Sequence, residues 1–227
     1  MLKSMMRKEL RELLPFVAIA LLFQFFVISL EAGMKWKPIG SWFGLDRLLN
    51  QIIPFVSPES CVGSFVVGGF LAVIIGLWQS MWESSRGTFL YLLHRPAARE
   101  AILSAKLLAG SAAFLSATAI PLFCYAIWAA IPGTHASPFE WSMTGPAWKV
   151  CCVLVLLYLG AFLSGIWPAR WYVSKFWPLV TITFGVFLLG VSPWSDLWWW
   201  LQMVATILGC IALVVAIFQV ARLRDFS

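Results

Sequence analysis

The sequence predicts an all-α integral membrane protein with six transmembrane helices and both termini in the cytoplasm. Three observations carry that expectation: the composition, the spacing of the apolar runs and the placement of the basic residues. The 227 residues are 61% hydrophobic and 11% charged, with mean hydropathy +0.88. Water-soluble domains carry about a quarter charged residues. Apolar runs of about 20 residues match the thickness of a bilayer core. In lipid each run must be helical, because only a helix satisfies its own backbone polar groups there.

The chain reads as a single transmembrane domain, 1–227, with spans at about 13–30, 62–82, 101–130, 149–167, 176–191 and 197–220. The basic start "MRKELREL" reads as an amphipathic helix leading into the first span. Leu13–Leu30 is longer than the apolar core of a signal peptide and no A-x-A site follows it, so the span is expected to stay uncleaved. A large loop, Glu31–Cys61, then precedes the second span, and "WFGLDRLLNQIIPF" within it is expected to lie on the outer surface as a helix.

The second span carries the small residues Gly63, Gly68, Gly69, Ala72 and Gly76. The third carries Ala101, Ala105, Ala109, Ala113 and Ala117, one every fourth residue, and Pro121 is expected to kink it. Stepping by four on a 3.6-residue helix drifts by about 40° each time, which makes a wrapping ridge. Small residues let helix backbones approach closely in lipid, so both sets are candidates for packing within one subunit or for a dimer seam. The fifth span is short and meets the sixth in a tight hairpin at "GVSPWSD".

Orientation follows from charge. Lys3, Arg7, Lys8, Arg11, Arg86, Arg95, Arg99, Lys106, Arg170, Lys175, Arg222 and Arg224 all fall on one side, against Lys35, Lys37, Arg47 and Lys149 on the other. The positive side is cytoplasmic. Tryptophans mark both edges: Trp78, Trp82, Trp167, Trp171 and Trp177 at inner ends, and Trp36, Trp42, Trp128, Trp141, Trp148, Trp194 and Trp198–Trp200 at outer ends. The net charge of +6 is spread along span ends and forms no basic domain, so it points to lipid headgroups and not to nucleic acid. The five cysteines, Cys61, Cys124, Cys151, Cys152 and Cys210, lack metal-binding spacing and read as small buried hydrophobes.

Enzyme chemistry finds no foothold. The chain contains no G-x-x-x-x-G-K-[ST], no H-E-x-x-H and no nucleophile–base set, and His94 and His135 fall on opposite sides of the membrane. No catalytic, metal or cofactor site is expected. The middles of the spans lack Asp, Glu, Lys, Arg and His, with Gln24, Gln202 and Gln219 as their bulkiest polar groups. Ion-coupled carriers need intramembrane ionisable residues, so energy for any transport is expected from outside the chain.

The segment "ESSRGTFLYLLHRPAAREAILSAK", Glu83 to Lys106, breaks the apolar pattern. Gly87 and Thr88 allow a turn, Phe89, Leu92 and Leu93 share one face of a short helix, and Pro96 ends it before Arg99 starts the third span. From the residues alone, this short amphipathic helix could rest in the lipid surface or dock a partner. The pattern Glu83, Gly87, Thr88, Leu92, Leu93, Pro96, Arg99, Leu103, Lys106 resembles the signature of type-2 permeases of ATP-binding-cassette transporters. The six-span plan and the basic N-terminus are similar to that family as well.

The resemblance implies that 83–100 is a cytoplasmic coupling segment docking on a separate ATPase subunit, which holds ATP and Mg. Phe89, Leu92 and Leu93 would supply its apolar contacts and Arg95 and Arg99 its charges, while Glu83 would cap or reach the N-terminal helix at Arg7 and Arg11. It further implies a homodimer or a pair with a paralogous permease in a bacterial cytoplasmic membrane, working as an exporter, and the apolar spans favour a hydrophobic or amphipathic substrate. The other reading of the same segment is a non-transporting scaffold that recruits a cytoplasmic protein. The short link after span five departs from the family's outer-gate helices.

Overall fold

The computed structural model describes residues 2–32, 55, 58–82, 99–134, 139–168, 172–191 and 196–223. Among these every regular element is helical. The main helices are α1 (Leu2–Glu31), α2 (Pro58–Leu77), α3 (Arg99–Ala130), α4 (Gly145–Ile166), α5 (Tyr172–Val191) and α6 (Asp196–Leu223). α2 runs on into a five-residue π-helical turn, Trp78–Trp82, and a 3₁₀ turn, Trp141–Thr144, leads into α4. Among the described residues five helices are long and apolar enough to cross a membrane, and a shorter apolar stretch, Ser174–Leu188, lies in α5.

The helices coincide with the apolar runs, and their ends have local causes. Pro146 stands in the first turn of α4, where its missing N–H is no loss. Pro168 follows the other end, and Trp167 before it is extended with ψ 128°, as a residue preceding proline prefers. In α5, Pro178 interrupts the ladder, and the next amide, Leu179 N–H, donates to Ser164 Oγ of α4 at 2.9 Å. That bond supplies a side-chain acceptor where the helix's own ladder is broken, a common repair in apolar surroundings. α3 continues as one helix through the buried Pro121.

One expectation changes. The amphipathic N-terminal helix and the first span are a single 30-residue helix, continuous through Pro15. At 1.5 Å per residue it reaches about 45 Å, roughly half as long again as a bilayer core. Its buried positions include Glu9, Leu13, Ala20 and Gln24, spaced four, seven and four residues apart along one face. The exposed residues Arg7, Lys8, Arg11 and Glu12 flank the first of them. Amphipathicity is therefore present, but the buried stripe includes a carboxylate.

α4 forms the centre, packed against α2, α5, α6 and α3, while α1 lies along α3 and α2. In its most apolar window 78% of the α4 residues are buried, against 11% for α6, which lies at the periphery. Tyr158, Phe114, Phe162, Leu154 and Ile75 are almost fully enclosed at this centre. An exposed pair closes the rim: Arg222 of α6 donates through Nε and Nη2 to Glu100 of α3 at 3.1 and 2.6 Å. Water screens such pairs, so this one adds little to stability.

Candidate functional site

The small residues of α2 bring it close to α4. A methyl group on Gly76 would lie 2.6 Å from the Tyr158 carbonyl oxygen and 2.9 Å from the Phe162 amide nitrogen. Gly68 and Gly69 face Leu154 and Leu157 of α4, and Ala72 is fully buried. On α3, Ala105, Ala109, Ala113 and Ala117 are all buried within this chain and Ala101 is half-buried. Ala109 and Ala113 lie within about 60° of Lys106 on the helical wheel, the side of α3 that meets α1.

This close approach assembles a polar cluster from four helices. The Lys106 ammonium of α3 donates to Glu9 Oε1 of α1 at 2.9 Å. Gln79, in the π turn after α2, donates through Nε2 to Glu9 Oε2 at 3.4 Å and to the Lys106 carbonyl at 3.2 Å. The Tyr158 hydroxyl of α4 donates to Gln79 Oε1 at 2.9 Å, and Ser111 stands beside it. Glu9 is 6% exposed, Lys106 2%, Gln79 3% and Tyr158 0%. Each charge thus has an opposite partner and further hydrogen bonds, the condition for a buried pair to persist.

Glycine makes the room. A side chain on Gly110 would run into Gln79 Oε1 and the Tyr158 hydroxyl, and one on Gly165 would run into Ser80 beside Gln79. Ser80 Oγ, within the turn, donates back to the Gly76 carbonyl of α2 at 2.7 Å. A π turn inserts an extra residue into the helical count, and such turns often occur at functional positions. Here it lies where Gln79 reaches α1, α3 and α4 together.

Removing one link should be measurable. In Tyr158→Phe the Gln79 carbonyl keeps its burial and loses its donor. A loss of about 1–3 kcal/mol is expected, read by reversible unfolding in mixed micelles.

Glu83, Gly87, Thr88, Phe89, Leu92, Leu93, Arg95 and Pro96 lie outside the described residues. Arg99 opens α3, and Lys106, seven residues on, is buried in the cluster. The structure therefore describes the two supports of the 83–98 segment, the π turn and the start of α3, and Gln79 joins them directly to each other. Arg7 and Arg11 are exposed; the N-terminal helix contributes a carboxylate to the cluster instead.

Sequence reasoning missed Glu9, Gln79 and Tyr158. A signal for Glu9 exists: it stands four residues before Leu13, on the stripe that continues into the first span. Among the described residues no group of His, Cys, Asp and Glu is arranged to hold a metal ion. Cys151 is buried, Cys152 and Cys210 are half-buried and Cys124 is exposed, all with free thiols. The chain matches no family model, no curated protein and no solved structure.

Proposed function

We propose that this chain is the transmembrane subunit of an ATP-binding-cassette transporter, acting as a dimer with a separate ATPase and exporting a hydrophobic or amphipathic molecule. The segment 83–100 is its coupling element at the cytoplasmic face. The observation that carries the reading is the cluster of Glu9, Gln79, Lys106 and Tyr158, which ties both supports of that segment to α1 and to the central helix α4. A push on the segment is then shared by four helices and not absorbed by one loop. The family-like pattern from Glu83 to Lys106 supplies the identity of the pusher, and the excess of basic residues at that end supports its cytoplasmic placement.

Docking by Phe89, Leu92 and Leu93 is a helix-in-groove contact. Burying one leucine contributes about 1.5–3 kcal/mol, so Leu92→Asp with Leu93→Asp should weaken ATPase binding by about 100-fold or more. The test is co-purification of tagged chain with a candidate ATPase subunit, wild type against the double variant. Loss of the ATPase from a variant that still elutes as a folded species is the expected result. Retention at the wild-type level removes the coupling role. ATPase binding without ATP-dependent movement of any lipid-like cargo in proteoliposomes would select the scaffold reading.

A further inference from the structure

A second polar cluster sits toward the opposite end of the same helices. A cavity of about 20 Å³ lies where α1, α2, α3 and α4 meet, with Gln24, Ser64, Thr118, Tyr125 and Cys151 in its wall. Gln24 is 3% exposed, Thr118 5% and Tyr125 3%, so these groups are enclosed by protein. Phe55, held at φ 65°, lays its ring 4.8 Å from that of Tyr125 and completes the wall.

The polar groups in this wall have capacity left over. Gln24 donates one amide hydrogen to the Ser64 carbonyl at 3.3 Å. A glutamine amide offers two N–H groups and two oxygen lone pairs, which leaves a second N–H and the carbonyl oxygen for another partner. Thr118 donates its hydroxyl hydrogen to the Phe114 carbonyl at 3.0 Å, which leaves its oxygen able to accept. Buried amides without partners are costly. Empty cavities are typically apolar, whereas polar ones of at least about 10–15 Å³ hold water. The volume suits a single water and is far too small for a cargo molecule.

We propose that this cavity is a water site, in which one ordered water bonds to Gln24 and Thr118 and bridges α1 and α3. Since Gln24 is already bonded to α2, the water completes a three-helix joint. A solvent bridge is enthalpically close to a direct hydrogen bond, yet it can be broken and remade without moving a charge. The two ends of the bundle are thereby joined differently: one by an ion pair, the other by a removable water. The site does not depend on the transport reading.

Radical footprinting tests it, because X-ray pulses make hydroxyl radicals from bound water itself. In proteoliposomes Tyr125 should be labelled several-fold more than Tyr158, which is fully buried among protein groups. Gln24→Leu and Thr118→Val should each bring Tyr125 down toward the Tyr158 level while Tyr158 stays unchanged. Two variants are specified so that one suffices where the other does not fold. Equal labelling of the two tyrosines in the wild type overturns the proposal, as does Tyr125 labelling that persists in a folded variant.

Discussion

Lys106→Met should destabilise the protein by about 3–5 kcal/mol, because it removes one member of a buried pair and leaves the other charged and enclosed. Among the described residues Glu9 would retain the Gln79 amide at 3.4 Å, with 6% of its surface exposed. The pair itself is worth much less than that loss, since two desolvated ions roughly offset their mutual attraction. The double variant Glu9→Leu/Lys106→Met should therefore recover most of the stability. Reversible unfolding in mixed micelles distinguishes the two, and a single variant within about 1 kcal/mol of wild type would show that water reaches Glu9. If the cluster transmits motion as proposed, the double variant should also bind ATPase normally while losing transport.

The second large effect is expected at Gly76. Replacing glycine by alanine inside a helix normally gains about 1 kcal/mol in propensity. At this position the new methyl would meet the Tyr158 carbonyl oxygen at 2.6 Å, the Ala161 Cβ at 2.7 Å and the Phe162 amide nitrogen at 2.9 Å. Two of those atoms belong to the α4 backbone and cannot rotate away. Overpacking of this kind costs about 1–3 kcal/mol or more, and fixed backbone places it at the upper end, for a net loss of about 2 kcal/mol. Because Tyr158 follows the displaced backbone, its bond to Gln79 should weaken as well. Gly185→Ala on α5 is the control: nothing lies within 4 Å of its added methyl, so it should be neutral or stabilising. A Gly76→Ala protein as stable as Gly185→Ala would mean that α2 and α4 separate easily.

The helices were legible because hydropathy and proline act locally. The fourth span, read as 149–167, is the helix Gly145–Ile166, with Pro146 and Pro168 at its borders. The fifth span, read as a short 176–191, is the 20-residue helix Tyr172–Val191, as long as α2. Small residues announced close packing, but only three dimensions show what they pack against: Gly76 meets α4, and the alanines of α3 are buried within the chain. The cluster escaped for a related reason. Glu9 looks like one more charge among Arg7, Lys8, Arg11 and Glu12, and hydropathy cannot say that its partner is Lys106. Gln79 lies in "LWQSMW", where nothing in the composition marks the π turn that aims it. Of the proposed coupling segment 83–100, residues 83–98 stand outside the described structure.

The separation of Glu9 and Lys106 by 97 residues also bears on how the protein is made. At about 5–20 residues per second, the ribosome needs roughly 5–20 seconds after finishing Glu9 to produce its counter-charge. During that interval the Glu9 carboxylate lacks its Lys106 partner, so the first turns of α1 are better served at the aqueous edge than among apolar helices. Final seating of α1 therefore waits for α3, and full enclosure of the pair waits for Tyr158 on α4. A nascent chain stalled before Lys106 should hold α1 more loosely than one that includes the third and fourth helices.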